Sequence, residues 1–145
     1  MRARNSALLC ALLVCGCGPF LLLPGGRLGG TVKPTPASFA FASDAGTIQL
    51  ETRPADPYSV NVAGAVVGDG LYVSGGDTKT RWVENIEADP LVRARIDGSV
   101  YELRARRVVD AAELQAFAVA WLNLGSWARD PTKLGEVWVY RLEPR

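Results

Sequence analysis

The chain has 145 residues, with 16 Lys and Arg against 15 Asp and Glu, three cysteines and no histidine. That length suits one domain of ordinary size, and the near-neutral balance supplies no electrostatic basis for binding nucleic acid. The lack of histidine excludes a His-ligated haem or zinc site and any Ser-His or Cys-His catalytic pair.

Arg2 and Arg4 precede a run of 17 residues without a charge, Ala7 to Leu23. A basic start followed by an apolar run is a membrane-targeting pattern, so residues 1–24 are predicted to be an N-terminal membrane anchor or signal segment. Three fates stay open. An uncleaved transmembrane helix would leave the domain on the extracytoplasmic side. Val14-Cys15-Gly16-Cys17 resembles a lipobox, which makes Cys17 a lipidation candidate in a lipoprotein. The third fate is plain signal cleavage. Cys10, Cys15 and Cys17 are the three cysteines, so the remainder of the chain has no disulfide, no thiolate nucleophile and no cysteine metal ligand. No metal site is expected.

Residues 25–46 are rich in Gly and Pro and read as a linker, with Phe39 to Ala42 either its end or the first packed segment. The domain is predicted over 47–145. Thr47 to Arg53 alternates, with Ile48, Leu50 and Thr52 on one side, as a half-buried strand does. Pro54 and Pro57 break it. Ser59 to Val67 and Leu71 to Ser74 flank Gly68-Asp69-Gly70, a hairpin signal because the turn needs positive φ. Asp77 to Pro90 then holds a short helix with a basic N-terminus, Lys79-Thr80-Arg81.

Val92 to Ile96 and Ser99 to Val108 form the clearest hairpin, turned at Asp97-Gly98. A two-residue turn sets Ile96 opposite Ser99, Ala94 opposite Tyr101 and Val92 opposite Leu103. It pairs Arg93 with Glu102, an opposite-charge pair, on the other face. A slip by one residue destroys both patterns. Asp110 to Asn123 is an amphipathic helix with Asp110 as N-cap, Glu113 three residues on, and a predicted buried stripe of Leu114, Phe117, Ala118, Trp121 and Leu122. Gly125 ends it. Ser126 to Gly135 is a polar loop and Glu136 to Leu142 the last strand. The order β-β-β-α-β-β-α-β, six short strands with two helices, suggests a small closed or partly open barrel.

The run Lys79-Thr-Arg-Trp-Val-x-Asn-Ile-x-x-Asp-Pro-x-Val, then Ile-Asp-Gly-x-Val-Tyr and Arg-Ala-x-x-Val, resembles the split β-barrel superfamily of pyridoxamine-phosphate-oxidase-like flavoproteins and deazaflavin-dependent nitroreductases. The resemblance covers about Thr47 to Leu142. It implies a mainly β, six-stranded split barrel of the FMN-binding type, often a homodimer, holding FMN or a deazaflavin. It also implies that Ser74, Lys79, Thr80 and Arg81 stand where the family binds the cofactor phosphate, which suits the free N–H groups and positive dipole of a helix N-terminus.

Each candidate has a structural alternative. Lys79, Thr80 and Arg81 bind an anion or are a solvated helix start. Asn61, on an otherwise apolar strand, contacts a ligand ring or is a satisfied buried amide. Arg104, Arg106 and Arg107 keep a strand edge soluble or meet an anion. Trp82 and Ile86 are expected in the core, as are Trp121 and Trp138. Trp127 falls outside the helix pattern and is the aromatic expected at a ligand or partner. The expectation is thus a flavin- or deazaflavin-binding oxidoreductase tethered in a bacterial cell envelope. The alternative is a non-catalytic envelope module that binds a small ligand or a protein.

Overall fold

The computed structural model describes residues 18–43 and 46–145. Its elements are β1 (Thr31–Lys33), β2 (Thr47–Thr52), β3 (Tyr58–Val67), β4 (Gly70–Gly76), α1 (Arg81–Ala88), β5 (Leu91–Ile96), β6 (Ser99–Arg107), α2 (Ala111–Leu122) and β7 (Trp138–Pro144). Six strands run in the order β6-β5-β2-β3-β4-β7, and β7 pairs back onto β6 to close an antiparallel barrel. Closure removes the free edges that an open sheet of short strands would expose. The added strand β1 lies parallel to Ser99, Val100 and Tyr101, on the half of β6 that β7 does not reach.

Local sequence explains the strongest elements. The β5–β6 hairpin has the expected register, Ile96↔Ser99, Ala94↔Tyr101 and Val92↔Leu103. Asp97 and Gly98 both take positive φ, 48° and 76°, as a type I′ turn requires. At the start of α2 the Asp110 carboxylate accepts from Glu113 N–H at 2.8 Å. The side chain of Glu113 does not reach back to complete a capping box. It accepts instead from Arg106 at 2.8 and 3.1 Å and from the Tyr72 hydroxyl at 2.9 Å, clamping α2 to the barrel.

The barrel interior is filled by Ile48, Leu50, Leu71, Val73, Val92, Ala94, Leu103, Tyr140 and Leu142, and α1 closes one end with Trp82, Val83 and Ile86. A second apolar layer, Ala65, Tyr72, Phe117, Trp121 and Val139, lies between α2 and the outside of the barrel. Trp82, Ile86, Trp121 and Trp138 are buried, as expected.

Several expectations change. Arg93 stands opposite Glu102 in the expected register but makes no ion pair with it. It is buried, and its guanidinium meets Glu51 of β2 at 3.1 Å, because β5 also pairs with β2 in the register Glu51↔Arg93. Leu28 N–H donates to the same carboxylate at 2.6 Å. The stretch read as a linker is therefore partly built into the barrel wall, with Leu28, Phe39 and Ala42 buried. Leu122 leaves the predicted buried stripe and is exposed. Nor do the β6 arginines line a sheet edge, since β6 lies between β5 and β7. Arg106 joins Glu113 and Glu143, and Arg107 lies over the Trp138 ring at 3.8 Å.

Of the apolar N-terminal run, Gly18 to Leu23 are described. Phe20 and Leu23 bridge each other in a tight turn. No helix among the described residues is long and apolar enough to cross a membrane. Cys17 and the rest of the predicted anchor lie outside the described residues.

Candidate functional site

The segment between β4 and α1 organises the candidate site. Gly75 is obligatory there: a Cβ on it would stand 2.8 Å from Val83 Cγ2, so a side chain would push the helix off the strand. Gly76 takes φ 63°, a conformation open to glycine at little cost. Ser74 Oγ accepts from Gly76 N–H at 3.1 Å and shapes the same bend. Thr80 is the N-cap of α1, but its side chain makes no cap hydrogen bond. Its Oγ1 is buried and has no partner among the described residues. The first N–H groups of α1 point out of this end of the helix with no acceptor in the preceding turn.

Two cavities open beside this segment. One, of about 370 Å³, is lined by Arg53, Tyr58 and Arg81. Arg81 is exposed and has no carboxylate partner among the described residues. Arg53 takes φ 56°, unusual for a residue with a side chain. That strained turn sets its guanidinium over the Tyr58 ring at 5.6 Å, beside Asp56 at 3.2 Å. Its Nε is buried and has no partner among the described residues. Strain held at a cavity wall points to a use for the side chain. Two guanidinium groups at the positive end of the α1 dipole together suit an anionic group.

The other cavity, of about 130 Å³, is lined by Ser74, Gly76, Trp121, Trp127, Arg129, Pro131 and Leu134. Trp127 stands edge-on to Trp121 with ring centroids 5.4 Å apart. Arg129 reaches across to Asp77 at 3.1 Å and ties the loop after α2 to the β4–α1 segment. Asp130 caps the short turn at Pro131, accepting from Thr132 N–H at 3.0 Å and Thr132 Oγ1 at 2.7 Å, and these bonds hold its carboxyl below the usual range.

The predicted site residues are therefore divided. Ser74 lines the smaller cavity and Arg81 the larger, while Thr80, next to Arg81 in the chain, lines neither. Lys79 belongs to the same segment, but its ammonium lies 5.0 Å from the centroid of Trp138, the ring that Arg107 also covers. Asn61 shares no cavity with them. It sits on the outside of β3, donates to the Leu21 carbonyl at 2.9 Å, and lines a polar hollow with Gln49 and Arg95. Trp127 lines the smaller cavity. Arg53 was missed. It lies directly before Pro54, where an extended backbone is the usual outcome, and nothing local signals a left-handed turn.

Residues 52–133, more than half of the chain, match the family model of the F420H2-dependent quinone reductases. The chain belongs to this family. Among solved structures it is similar to the haem storage protein HutZ of Vibrio cholerae, at 20% identity and a TM-score of 0.57, covering 72% of this chain and 85% of that one. It is also similar to a candidate pyridoxamine 5'-phosphate oxidase from Listeria innocua, at 18% identity and a TM-score of 0.53, covering 73% and 89%. At these identities the likeness is one of fold, and it agrees with the six-stranded split barrel. No curated protein matches the chain in sequence.

Proposed function

We propose that the protein binds a phosphate-bearing deazaflavin of the F420 type, or failing that FMN, and passes reducing equivalents to a quinone-type acceptor. The observation that carries the reading is the cleft of Arg53, Tyr58 and Arg81 at the N-terminus of α1. The residues present fit an anionic cofactor tail. Arg53 and Arg81 would hold its charge, and Thr80 and the first N–H groups of α1 would supply hydrogen bonds. Lys79 adds positive charge nearby, and Ser74 fixes the bend that lets the backbone approach.

When bound, a reduced deazaflavin supplies a hydride. The protein's part is to bind, orient and exclude water, which explains how a chain with no histidine can serve this chemistry. The Trp121–Trp127 cavity adjoins the same segment and offers apolar walls with one guanidinium, Arg129. Those surfaces suit a planar acceptor with a carbonyl oxygen. In the same reading the chain is tethered to the outer face of a bacterial membrane through residues 7–23. The support for that is the basic start and charge-free run, together with the exposed side chains of Phe20, Leu21, Leu22 and Leu23.

The test is a thermal melt and binding titration of the purified protein with F420, FMN and FAD. Binding to the native state alone raises stability by about 2.7 kcal/mol at a hundredfold excess over Kd. Arg53→Ala and Arg81→Ala are each expected to weaken binding about 10- to 100-fold, the loss of one charged hydrogen bond of about 1.5–3 kcal/mol. Absence of a shift with all three cofactors would remove the oxidoreductase reading and favour a non-catalytic barrel that binds a small ligand or a partner.

A further inference from the structure

We propose that the outer face of α2, with Trp127 and the Phe20–Leu23 turn, lies flat on the surface of a lipid bilayer, a docking that rests on the membrane tether proposed above. The helix Ala111–Leu122 has a single charged residue, Glu113, and that residue is turned inward to Arg106 and Tyr72. Its outward residues, Ala112, Gln115, Ala116, Val119 and Leu122, are exposed and uncharged. A helix on a water-facing surface ordinarily turns a charged or polar side outward. Here the exposed side carries Val119 at 59% and Leu122 at 42% relative exposure. Just beyond the helix, Trp127 is also 59% exposed. Tryptophan beside an apolar face is the arrangement found where proteins meet the headgroup region.

The Phe20–Leu23 turn stands on the same side of the molecule. Along the outward face of β3, Ser59 donates to the Gly26 carbonyl at 2.7 Å and Asn61 to the Leu21 carbonyl at 2.9 Å. The next residues on that face, Ala63, Ala65 and Val67, lie in the layer beneath α2. Asn61 and Ala65 are about 14 Å apart along the strand, so the turn and the helix lie over successive stretches of the outer face of β3. The turn projects four apolar side chains, Leu22 at 98% exposure. The chain that leads into it is the charge-free run from Ala7. The tether proposed over residues 7–23 ends in this turn and would thus present this wall, rather than any other, to the lipid.

A second copy fits the face less well. A helix of 12 residues is about 18 Å long and offers on the order of 200–300 Å², against about 800 Å² per partner in a stable interface.

The test uses the full chain reconstituted into phosphatidylcholine vesicles, with or without bromines on the acyl chains. Of the four tryptophans, Trp82, Trp121 and Trp138 are buried and Trp127 alone is exposed. The expected result is bromine-dependent loss of the Trp127 share of emission, absent in Trp127→Phe. Val119→Lys with Leu122→Lys, both on the solvent side, should still float with vesicles but escape the quenching, with an unchanged circular dichroism spectrum. Should those variants misfold, the wild-type against Trp127→Phe comparison still decides. Flotation with equal emission in plain and brominated lipid would leave the tether standing and overturn the docking. Failure to float would overturn both. Trp127 shielded from bromolipid and from aqueous iodide alike would show protein covering the face, the chain's own N-terminal run or a second copy, and would also overturn the docking.

Discussion

Replacing Glu51 by Gln should cost more stability than any other single change of equal volume in the barrel. Glu51 is 1% exposed and Arg93 8%. The carboxylate accepts from Arg93 Nη1 at 3.1 and 3.3 Å and from Leu28 N–H at 2.6 Å. Arg27 adds a contact at 3.6 Å, but it is largely solvated and contributes little. Glutamine keeps the shape, removes the charge and places an NH2 where two donors already converge. Arg93, whose Nε is already unpartnered, is then a buried cation without a counter-charge. Breaking such a pair costs about 3–5 kcal/mol, a large share of the roughly 5–15 kcal/mol that holds a domain together. For a domain of this size that corresponds to a fall in Tm of about 10–25 °C. Because Glu51 also fastens Leu28, amides near residue 28 should exchange faster as well. A urea or thermal melt reads the loss. The double change Glu51→Leu with Arg93→Met should recover most of it, since an apolar pair of similar volume avoids the desolvation cost. A loss below about 1 kcal/mol in Glu51→Gln would refute the reasoning and show the pair to be solvated.

Other consequences are as direct. Arg53→Gly should be neutral or stabilising by up to about 1 kcal/mol, since glycine relieves the positive φ at some entropic cost, yet it should weaken cofactor binding as Arg53→Ala does. Melts and titrations of the one variant check both. Gly75→Ala should lose about 1–3 kcal/mol by forcing its methyl against Val83, with a matching loss of cofactor affinity as α1 shifts. The Arg106 hydrogen bond holds the Glu113 carboxyl below the usual carboxylate range, against the opposing effect of burial. Its stabilisation is therefore complete above that range and is lost as pH falls through the lowered folded value, so acid unfolding of Arg106→Leu should begin at higher pH than in the wild type. Burial, and then the hydrogen bond to Glu87 at 2.7 Å, raise the Tyr140 hydroxyl far above the ordinary tyrosine range. This contribution is full below about pH 10 and is lost only as pH rises beyond it. Tyr140→Phe should cost about 1–2 kcal/mol at neutral pH and remove the late ionising phase from a tyrosine absorbance titration.

What the sequence determined by itself is whatever depends on neighbours in the chain. The β5–β6 register follows from a two-residue turn that demands positive φ and from a side-chain period of two. The start of α2 follows from Asp110 and the N–H three residues on. Trp127 could be singled out because it broke a helical period, and the barrel could be inferred from the number and spacing of short strands. Tertiary structure alone decided which partner each buried charge would meet. Arg93 has Glu102 opposite it in its own hairpin, yet β2 pairs along the other side of β5, and buried Glu51 on the same face takes the ion pair that exposed Glu102 cannot make as strongly. Closure by β7 set Arg106 and Arg107 among carboxylates and a ring instead of at an edge, while the packing of α2 left Leu122 at the surface and the turn after β2 set Arg53 in one cavity with Arg81. These outcomes join residues far apart in the chain, where no local periodicity records which strands will be neighbours and the balance of burial against solvation chooses among several chemically acceptable partners.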